Sequence, residues 1–397
     1  MSVQDASSAP ALGVGMVGYA FMGAAHSQAW RTAGRVFDLP LDVRMTVLCG
    51  RSRAAAETAA RKLGWESVET DWKALVARDD VRLVDICTPG SSHADIAIAA
   101  LAAGKHVLCE KPLANTVTEA RAMVEAARAA RSAGVRSMVG FNYRRVPAAT
   151  LARQLVADGR IGTVRHVRAQ YLQDWIVDPQ FPLVWRLRAE EAGSGALGDI
   201  GAHIVDLTQF VTGQRLTGVN AVLETFVKQR PLPEASSGLS ASGGSATGEV
   251  TVDDAAVFFG RLDGGALASY EATRFATGRK NSIRVEVNGS TGSLAFDLER
   301  LNELELYEGA GTDAEEGFRR ILVTEPSHPY LGAWWPPGHT LGWAETFTHE
   351  VKDLVEAVAA GTDPLPSFED GLQVQLVLDA VQRSAADRGC WTDVEAV

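Results

Sequence analysis

The stretch LGVGMVGYAFMGAAHS, residues 12–27, decides the fold because it holds two overlapping glycine patterns. One pattern is Gly13-Val-Gly15-Met-Val-Gly18, and the other is Gly18-Tyr-Ala20-Phe-Met-Gly23. Each resembles the G-x-G-x-x-G sequence that binds a dinucleotide, and the first fits it more closely. Such a pattern binds a pyrophosphate only at the turn between a strand and a helix, where backbone N–H groups approach the phosphates.

That context favours the second pattern. Residues 12–17 form an apolar run typical of a buried strand, whereas the polar, proline-containing segment before Gly13 predicts none. The segment after Gly18 predicts a helix, so the turn is expected at 18–23, although Ala20 replaces the usual second glycine. The cofactor-binding residues predicted in this turn are Gly18, Ala20, Phe21, Met22 and Gly23.

Short apolar runs then alternate with helical segments up to about residue 140. Strands are predicted at 13–18, 44–49, 83–87, 107–110 and 137–141. This alternation is typical of a doubly wound parallel sheet, so a dinucleotide-binding Rossmann domain is predicted over 10–140.

Longer alternating strands follow and predict a different second domain. An α+β domain with an open, mostly antiparallel sheet is expected over 141–397, for substrate binding and oligomerisation. The Gly/Ser/Pro-rich stretch 228–250 predicts a mobile surface loop. Helices are predicted at 340–360 and 369–387. These C-terminal helices are candidates for packing against the first domain.

The end of the second strand reads VLCGRSR and bears on the choice between NAD and NADP. Gly50 stands where an acidic residue would bind the ribose of NAD. Arg51 and Ser52 are suited to a 2′-phosphate, which favours NADP, although an arginine also stacks on adenine without any phosphate.

Composition excludes several classes of partner. The chain of 397 residues carries a net charge of −11, which argues against nucleic acid and anionic membranes. No secretion signal or membrane span is evident, so a cytoplasmic location is expected. No pair among the four cysteines has metal-ligand spacing, and no metal is predicted.

Two other stretches have the composition of a reaction centre. In LCEKP, Lys111 follows a predicted parallel strand, where ligands of open sheets bind. In GALGDIGAHIVDL, Asp199 and His203 share one face of a helix. Taken singly, each has an ordinary explanation: a solvated lysine, a helix-capping aspartate and a histidine at the border of the core.

Together, GYAFMGAAH, CTPGSSH, AGKHVLCEKPLA, GFNYRR and GALGDIGAHIVDL resemble the Gfo/Idh/MocA family of NAD(P)-dependent sugar oxidoreductases. The resemblance runs over nearly the whole chain. YLQDW, PLVWR and EATR are most similar to the levoglucosan dehydrogenase branch.

The resemblance implies a role for each candidate residue. It implies that Lys111, Asp199 and His203 are catalytic, with His203 as the base and the other two assisting. The further cofactor contacts that it implies are Thr88, Pro89, His93, Glu110, Lys111 and Asn142. The substrate contacts expected are Lys111, Tyr143, Gln173, Trp175, Asp199 and His203, where Trp175 has a buried structural role as its alternative.

The implied reaction moves a hydride between NAD(P) and a ring hydroxyl of a sugar, anhydrosugar or cyclitol such as inositol. Histidine suits the base because its ordinary pKa of about 6.5 is close to working pH. Two alternatives stay open: oxidation that initiates deglycosylation of a glycoside, and a non-catalytic NAD(P)/sugar-sensing regulator. The resemblance also implies a homodimer or homotetramer.

Overall fold

The computed structural model describes residues 9–237, 240–309 and 314–397, and these form two compact units. Within the described residues, unit 1 consists of 9–113, 118–140 and 344–369. Unit 2 consists of 114–117, 141–343 and 370–397. Each unit is described separately below.

The chain alternates strands and helices in its first part and is rich in strands in its second. The strands are β1 (Ala11–Val17), β2 (Asp42–Cys49), β3 (Ser67–Glu69), β4 (Leu83–Ile86), β5 (His106–Glu110), β6 (Ser137–Gly140), β7 (Val164–Leu172), β8 (Leu216–Glu224), β9 (Gln229–Ser237), β10 (Ser240–Glu249), β11 (Ala255–Leu262), β12 (Leu267–Thr273), β13 (Ser282–Gly289), β14 (Gly292–Asp297), β15 (Glu303–Glu308), β16 (Arg319–Leu322) and β17 (Thr392–Asp393). The α-helices are α1 (Phe21–Val36), α2 (Arg53–Leu63), α3 (Trp72–Val76), α4 (His93–Ala102), α5 (Val117–Arg131), α6 (Pro147–Ala157), α7 (Ala189–Ala192), α8 (Ala202–Thr212), α9 (Trp343–Ala360) and α10 (Phe368–Ala386).

Unit 1 contains the predicted doubly wound sheet. Its described strands are parallel and lie in the order β3-β2-β1-β4-β5-β6. The order reverses between β1 and β4, and ligands of such sheets bind beyond the carboxyl ends of the strands at this point. The fold class predicted for this part of the chain is confirmed, and the short strand β3 is an addition to it.

Unit 2 contains a nine-stranded sheet among the described residues, in the order β16-β15-β14-β13-β7-β12-β11-β8-β17. Neighbouring strands are antiparallel except β7 and β12, which are parallel. Helices α6 and α8 contact this sheet. Along β11, side chains alternate between buried and exposed, as expected for a sheet with one covered face. The predicted α+β class with a mostly antiparallel sheet is confirmed.

The prediction of a loop at 228–250 was wrong for the residues that the structure describes there. They form an antiparallel pair, β9 with β10. Backbone pairing needs no large side chains, so the missing apolar residues gave no sign of strands. Arg230 is fully buried, and its guanidinium donates to the carbonyls of Ile176, Asp178 and Phe181. These bonds attach β9 to the segment after β7.

The C-terminal helices differ in their placement. Helix α9 belongs almost entirely to unit 1, whereas most of α10 belongs to unit 2. Among the described residues, every helix is too short or too polar to cross a bilayer.

Candidate active site

The glycine-rich segment of unit 1 runs from β1 into α1. Gly18 follows β1 with φ of +96°, and a Cβ there would lie 2.7 Å from the carbonyl oxygen of Cys87. Glycine therefore suits this position both by its conformation and by its lack of a side chain. Residue 87 follows β4, so the contact lies where the strand order reverses.

The other glycines of this segment serve packing. A Cβ on Gly23 would lie 2.2 Å from the Gly18 carbonyl oxygen, so Gly23 lets α1 approach β1. Gly13 lies inside β1, where a Cβ would lie 1.9 Å from the carbonyl oxygen of Asp80. The first pattern is thus mostly strand. The second pattern holds the turn, residues 18–20, and its last three residues form the start of α1, so the turn is shorter than the predicted 18–23.

This turn fits a dinucleotide. Ala20 is the N-cap of α1 and makes no side-chain cap hydrogen bond in the described structure. The first backbone N–H groups of this 16-residue helix are therefore not capped by the N-cap side chain, and such groups are suited to bind a pyrophosphate.

The end of β2 is the expected adenosine side. Tyr19 lies against Gly50, since a Cβ there would be 1.9 Å from its ring. Arg51 is exposed and has no ion-pair partner among the described residues, while Ser52 caps α2 through its Oγ. Burial, with Asp71 and Glu69 nearby, raises the pKa of the Cys49 thiol to about 11. Cationic and acidic groups therefore both lie near this strand end.

The segment TPGSSH, 88–93, is braced by its own side chains. His93 is buried, with Nδ1 3.0 Å from the Pro112 carbonyl oxygen and Nε2 2.9 Å from the Thr88 carbonyl oxygen. Burial lowers the pKa of His93, while the two carbonyls oppose that shift. Both ring nitrogens thus contact protein atoms, and Thr88 and Pro89 lie on the segment that they hold.

Glu110 ends β5, and Lys111 follows it with a cis bond to Pro112. Glu110 is buried and its Oε1 lies 2.9 Å from His26 Nε2. Gly140 gives it room, because a Cβ there would lie 2.9 Å from the same oxygen. Lys111 is half-buried and begins the segment beyond the strand.

In unit 2, Asp199 and His203 lie on one continuous helical segment. It starts with a π-helical turn over Leu197–Gly201 and continues into α8. The carboxylate of Asp253 accepts hydrogen bonds from the backbone N–H groups of Gly195 and Leu197, at 2.7 and 2.8 Å. This carboxylate fixes the start of the helix. Single π turns inside helices are often found at functional sites.

Three aromatic rings surround His203. Its ring centroid lies 4.7 Å from that of Tyr143, 5.9 Å from that of Tyr171 and 6.0 Å from that of Phe141. His203 is 7% exposed, so its ring is positioned with little freedom to rotate. Asn142, which is buried, lies in the turn beside two of these rings.

Gln173 and Trp175 belong to a hydrogen-bonded chain centred on Asn281. Trp175 Nε1 donates to Gln173 Oε1 at 3.0 Å, and Gln173 Nε2 donates to Asn281 Oδ1 at 2.8 Å. The Tyr171 hydroxyl donates to the same Asn281 oxygen at 2.6 Å, and Asn281 Nδ2 donates to the Tyr143 hydroxyl at 3.3 Å. Sequence reasoning missed Asn281, because a polar residue in a GRKNS segment has no distinguishing pattern.

A buried arginine lies beside Asp199. Arg274 Nη1 is 3.5 Å from Asp199 Oδ2, and Nη2 donates to the Asp253 carbonyl at 3.2 Å. Its guanidinium lies over the Trp175 ring, 5.6 Å from the centroid. Burial lowers the pKa of Arg186, whereas Asp199 opposes the shift. EATR and PLVWR contained both arginines but gave no sign of a role at the site.

The candidates therefore form two sets. Unit 1 contains the Gly18–Gly23 turn, Arg51, Ser52, the TPGSSH segment, Glu110 and Lys111. Unit 2 brings together Tyr143, Gln173, Trp175, Asp199 and His203, with Asn142 adjoining.

Comparison with known proteins identifies this arrangement. Residues 12–141 match the family described as "Oxidoreductase family, NAD-binding Rossmann fold", and residues 150–295 match "GFO/IDH/MocA C-terminal domain". The chain belongs to the Gfo/Idh/MocA oxidoreductase family.

Within this Gfo/Idh/MocA family, the chain is similar to proteins that match it almost end to end. It is 42% identical to a levoglucosan dehydrogenase of Pseudarthrobacter phenanthrenivorans over 97% of this chain and 99% of that protein. The crystal structure of an oxidoreductase domain protein from Kribbella flavida is 64% identical, with a TM-score of 0.93 over 97% of this chain and 100% of that one. A levoglucosan dehydrogenase in complex with NADH and levoglucosan is 41% identical, with a TM-score of 0.90 over 96% of this chain and 99% of that one.

Proposed function

We propose that this chain is an NAD(P)-dependent dehydrogenase that oxidises a ring hydroxyl of a sugar, an anhydrosugar resembling levoglucosan, or a cyclitol. The observation that carries the proposal is His203, held by three aromatic rings on the same helical segment as Asp199. A histidine held in place, on a helical segment that also carries a carboxylate, suits proton removal from a polyol. The similarity to a levoglucosan dehydrogenase over nearly the whole chain supports the substrate class.

Each residue has a defined task in this reaction. When bound, the nicotinamide accepts the hydride that leaves carbon. His203 takes the proton from the hydroxyl, and Lys111 donates a hydrogen bond to the oxygen as negative charge develops there. Asp199 accepts a hydrogen bond from a neighbouring hydroxyl and orients the ring. In the reverse direction the same groups return a proton to a ketosugar.

The central test removes the proposed base and the proposed lysine. We expect His203→Ala to lower kcat by about 100- to 10,000-fold and Lys111→Ala by about 100-fold or more, because each acts on the reacting oxygen. The assay follows reduced nicotinamide absorbance with levoglucosan, inositols, glucose and simple glycosides. Fluorescence titration should show that His203→Ala binds NADH as tightly as the wild type and that Lys111→Ala, which lacks one expected cofactor contact, still binds it.

Lys62→Ala, on the exposed last turn of α2, is the control and should keep wild-type turnover. Turnover of glycosides alone, with loss of the aglycone, would indicate deglycosylation instead. Cofactor binding without turnover on any polyol would contradict the enzyme proposal and favour a sensor.

The choice of cofactor is a finer proposal. The Rossmann unit belongs to an NAD-binding family, and we propose that Arg51, with Ser52, shifts its preference towards NADP. The exposed guanidinium without an ion-pair partner in the described structure supports this, whereas Glu69 and Asp71 oppose a second phosphate.

Arg51→Ala should therefore raise KM for NADP about tenfold or more and leave KM for NAD nearly unchanged, because it removes one charged phosphate contact. Arg61→Ala, in the last turn of α2, the helix that Ser52 caps, is the matched control. A wild-type enzyme with a strong preference for NAD would refute this assignment.

We further propose that the chain forms a homodimer or homotetramer through the exposed face of its large sheet. Val222, Val257, Phe259 and Leu267 are 46–67% exposed on β8, β11 and β12. Val222 lies opposite Val257 in the strand register. Exposed Glu271 and Arg261 lie beside them in the register, so the face mixes apolar and charged side chains. Large exposed apolar side chains grouped on one sheet face are typical of a protein–protein contact.

A further inference from the structure

Three ionisable side chains meet in the interior of unit 1. His26 Nδ1 lies 3.0 Å from Asp85 Oδ2, and its Nε2 lies 2.9 Å from Glu110 Oε1. Asp85 also accepts a hydrogen bond from Trp30 Nε1 at 2.7 Å. His26, Asp85 and Glu110 are all at least 96% buried. We call these three residues the His26 cluster.

The geometry favours a positive charge on His26. Each ring nitrogen faces a carboxylate oxygen, and only an imidazolium can donate a hydrogen bond from both nitrogens. Burial alone would lower the pKa of His26, but Asp85 together with the nearby Cys87 raises it well above its usual value. We infer a buried cation between two carboxylates, an arrangement that also compensates much of their mutual repulsion.

The His26 cluster joins α1, β4 and β5 near the carboxyl ends of the parallel strands. His26 lies in α1, one turn beyond the Gly18–Gly23 segment. Asp85 lies in β4, and Glu110 is the last residue of β5. Lys111, the proposed oxyanion donor, is covalently attached to the residue that His26 holds.

We propose that His26 is a positioning residue, which acts through the Glu110 carboxylate to fix the backbone from which Lys111 extends. This inference rests on the proposed dehydrogenase function. The cation holds Glu110 in one orientation, and Gly140 leaves space for that orientation only because it has no side chain. The rate of the proposed reaction is sensitive to the position of Lys111, since a shift of about 1 Å can reduce such a rate about 100-fold.

A metal site is the other use that these residues allow. His26, Asp85 and Cys87 each offer a ligand atom, and these atoms lie within 4.8 Å of one another. Glu110, however, occupies the remaining ring nitrogen of His26, and an imidazolium has no lone pair for a metal. The paired nitrogens favour the cation over the metal ligand.

The first test needs neither cofactor nor substrate. In ¹⁵N-labelled apoprotein, NMR should show the His26 ring as an imidazolium at pH 8, identified by the signal that His26→Gln removes. In Glu110→Gln the same ring should lose its proton at a lower pH, because one of its two carboxylate partners is gone. A neutral His26 ring at pH 6.5, or Zn²⁺ bound to the purified protein at this cluster, would overturn the proposal.

The second test uses turnover. His26→Gln should lower kcat about 100-fold, and this loss should exceed the change in the Kd for NADH measured by fluorescence. The acid limb of its kcat/KM profile should move to higher pH, because Asp85 and Glu110 then face each other without a cation. In the double variant with Glu110→Gln this displacement should disappear, a result that simple loss of packing does not produce.

Glu110→Gln alone keeps the experiment decisive if His26→Gln does not fold. Its amide oxygen still accepts from His26, so the fold should persist while kcat falls about tenfold. Glu57→Gln, an exposed carboxylate on α2, is the control and should leave kcat unchanged. Wild-type kcat and an unshifted pH profile in folded His26→Gln would overturn the inference. A wild type without any polyol turnover would instead contradict the proposed function. The NMR experiment would still show whether the His26 ring is an imidazolium.

Discussion

At the scale of single residues, the least expected member of the site is Arg274. A fully buried guanidinium is costly unless its donors are used. Here Nη1 contacts Asp199 and Nη2 donates to the Asp253 carbonyl, while Nε has no hydrogen-bond partner among the described residues. Asp253 also fixes the start of the helix that carries Asp199. One arginine thus links the carboxylate to the backbone that positions it.

Arg274→Lys should raise KM for the sugar about tenfold and lower Tm only slightly. A lysine keeps the charge, but its single ammonium cannot replace both nitrogens of the planar guanidinium. Steady-state kinetics and thermal unfolding measure the two effects. Arg279→Lys, an exposed arginine paired with Glu299, should change neither, and equal effects at both positions would contradict the role of Arg274.

Residue roles were only partly predictable. Lys111, Asp199 and His203 stand in distinctive motifs, so the sequence alone pointed to them. Arg274, Asn281 and His26 contact partners that are 75, 108 and 84 residues distant in the chain. No local pattern encodes such pairings, because they depend on which strands become neighbours.

At the scale of elements, the strand–turn–helix at the start of the chain was predicted from its apolar run and glycines. In the structure, β1 is that strand and α1 is that helix. The prediction of a loop at 228–250 was wrong because the described strands there are stabilised by backbone pairing and by Arg230 rather than by apolar side chains. Periodicity detects elements that bury an apolar face and misses those that do not.

Strand β5 contains His106, which should make the free energy of unfolding depend on pH. Burial, with Arg82 and Arg136 nearby, lowers the pKa of His106 to about 4, and its Nδ1 accepts from the Arg136 N–H at 3.0 Å. Because the unfolded chain has the ordinary pKa of about 6.5, it binds the proton first as pH falls. Between pH 6.5 and 4 this residue therefore costs stability, by about 2 kcal/mol at pH 4.5.

His106→Asn should flatten the decline of Tm between pH 6.5 and 4.5, since it removes the titrating group and keeps an acceptor. Scanning calorimetry at several pH values gives the comparison. His339→Asn, on an exposed loop, should retain the wild-type slope. An unchanged slope in His106→Asn would refute the assignment.

At the scale of the whole molecule, the large sheet exposes four large apolar side chains on β8, β11 and β12, among charged residues such as Glu271 and Arg261. Val257→Asp should reduce the solution mass to that of the 42.3 kDa monomer, because a buried unpaired charge is costly at an interface. Light scattering coupled to gel filtration measures this mass. Val257→Thr keeps the branched shape and should remain oligomeric, and a wild type that is itself monomeric would contradict the proposal.

The sequence by itself determined the fold class and placed the glycine turn between β1 and α1, and it named Lys111, Asp199 and His203 as candidates whose roles stay predictions. It could do so because apolar periodicity, glycine geometry and short motifs are local properties of the chain. Only the tertiary structure decided that His26 lies between Asp85 and Glu110, that Arg274 contacts Asp199, and that Asn281 joins Gln173 to the two tyrosines. Those contacts arise from strand order and burial, and buried charges find their partners only when the sheets have assembled.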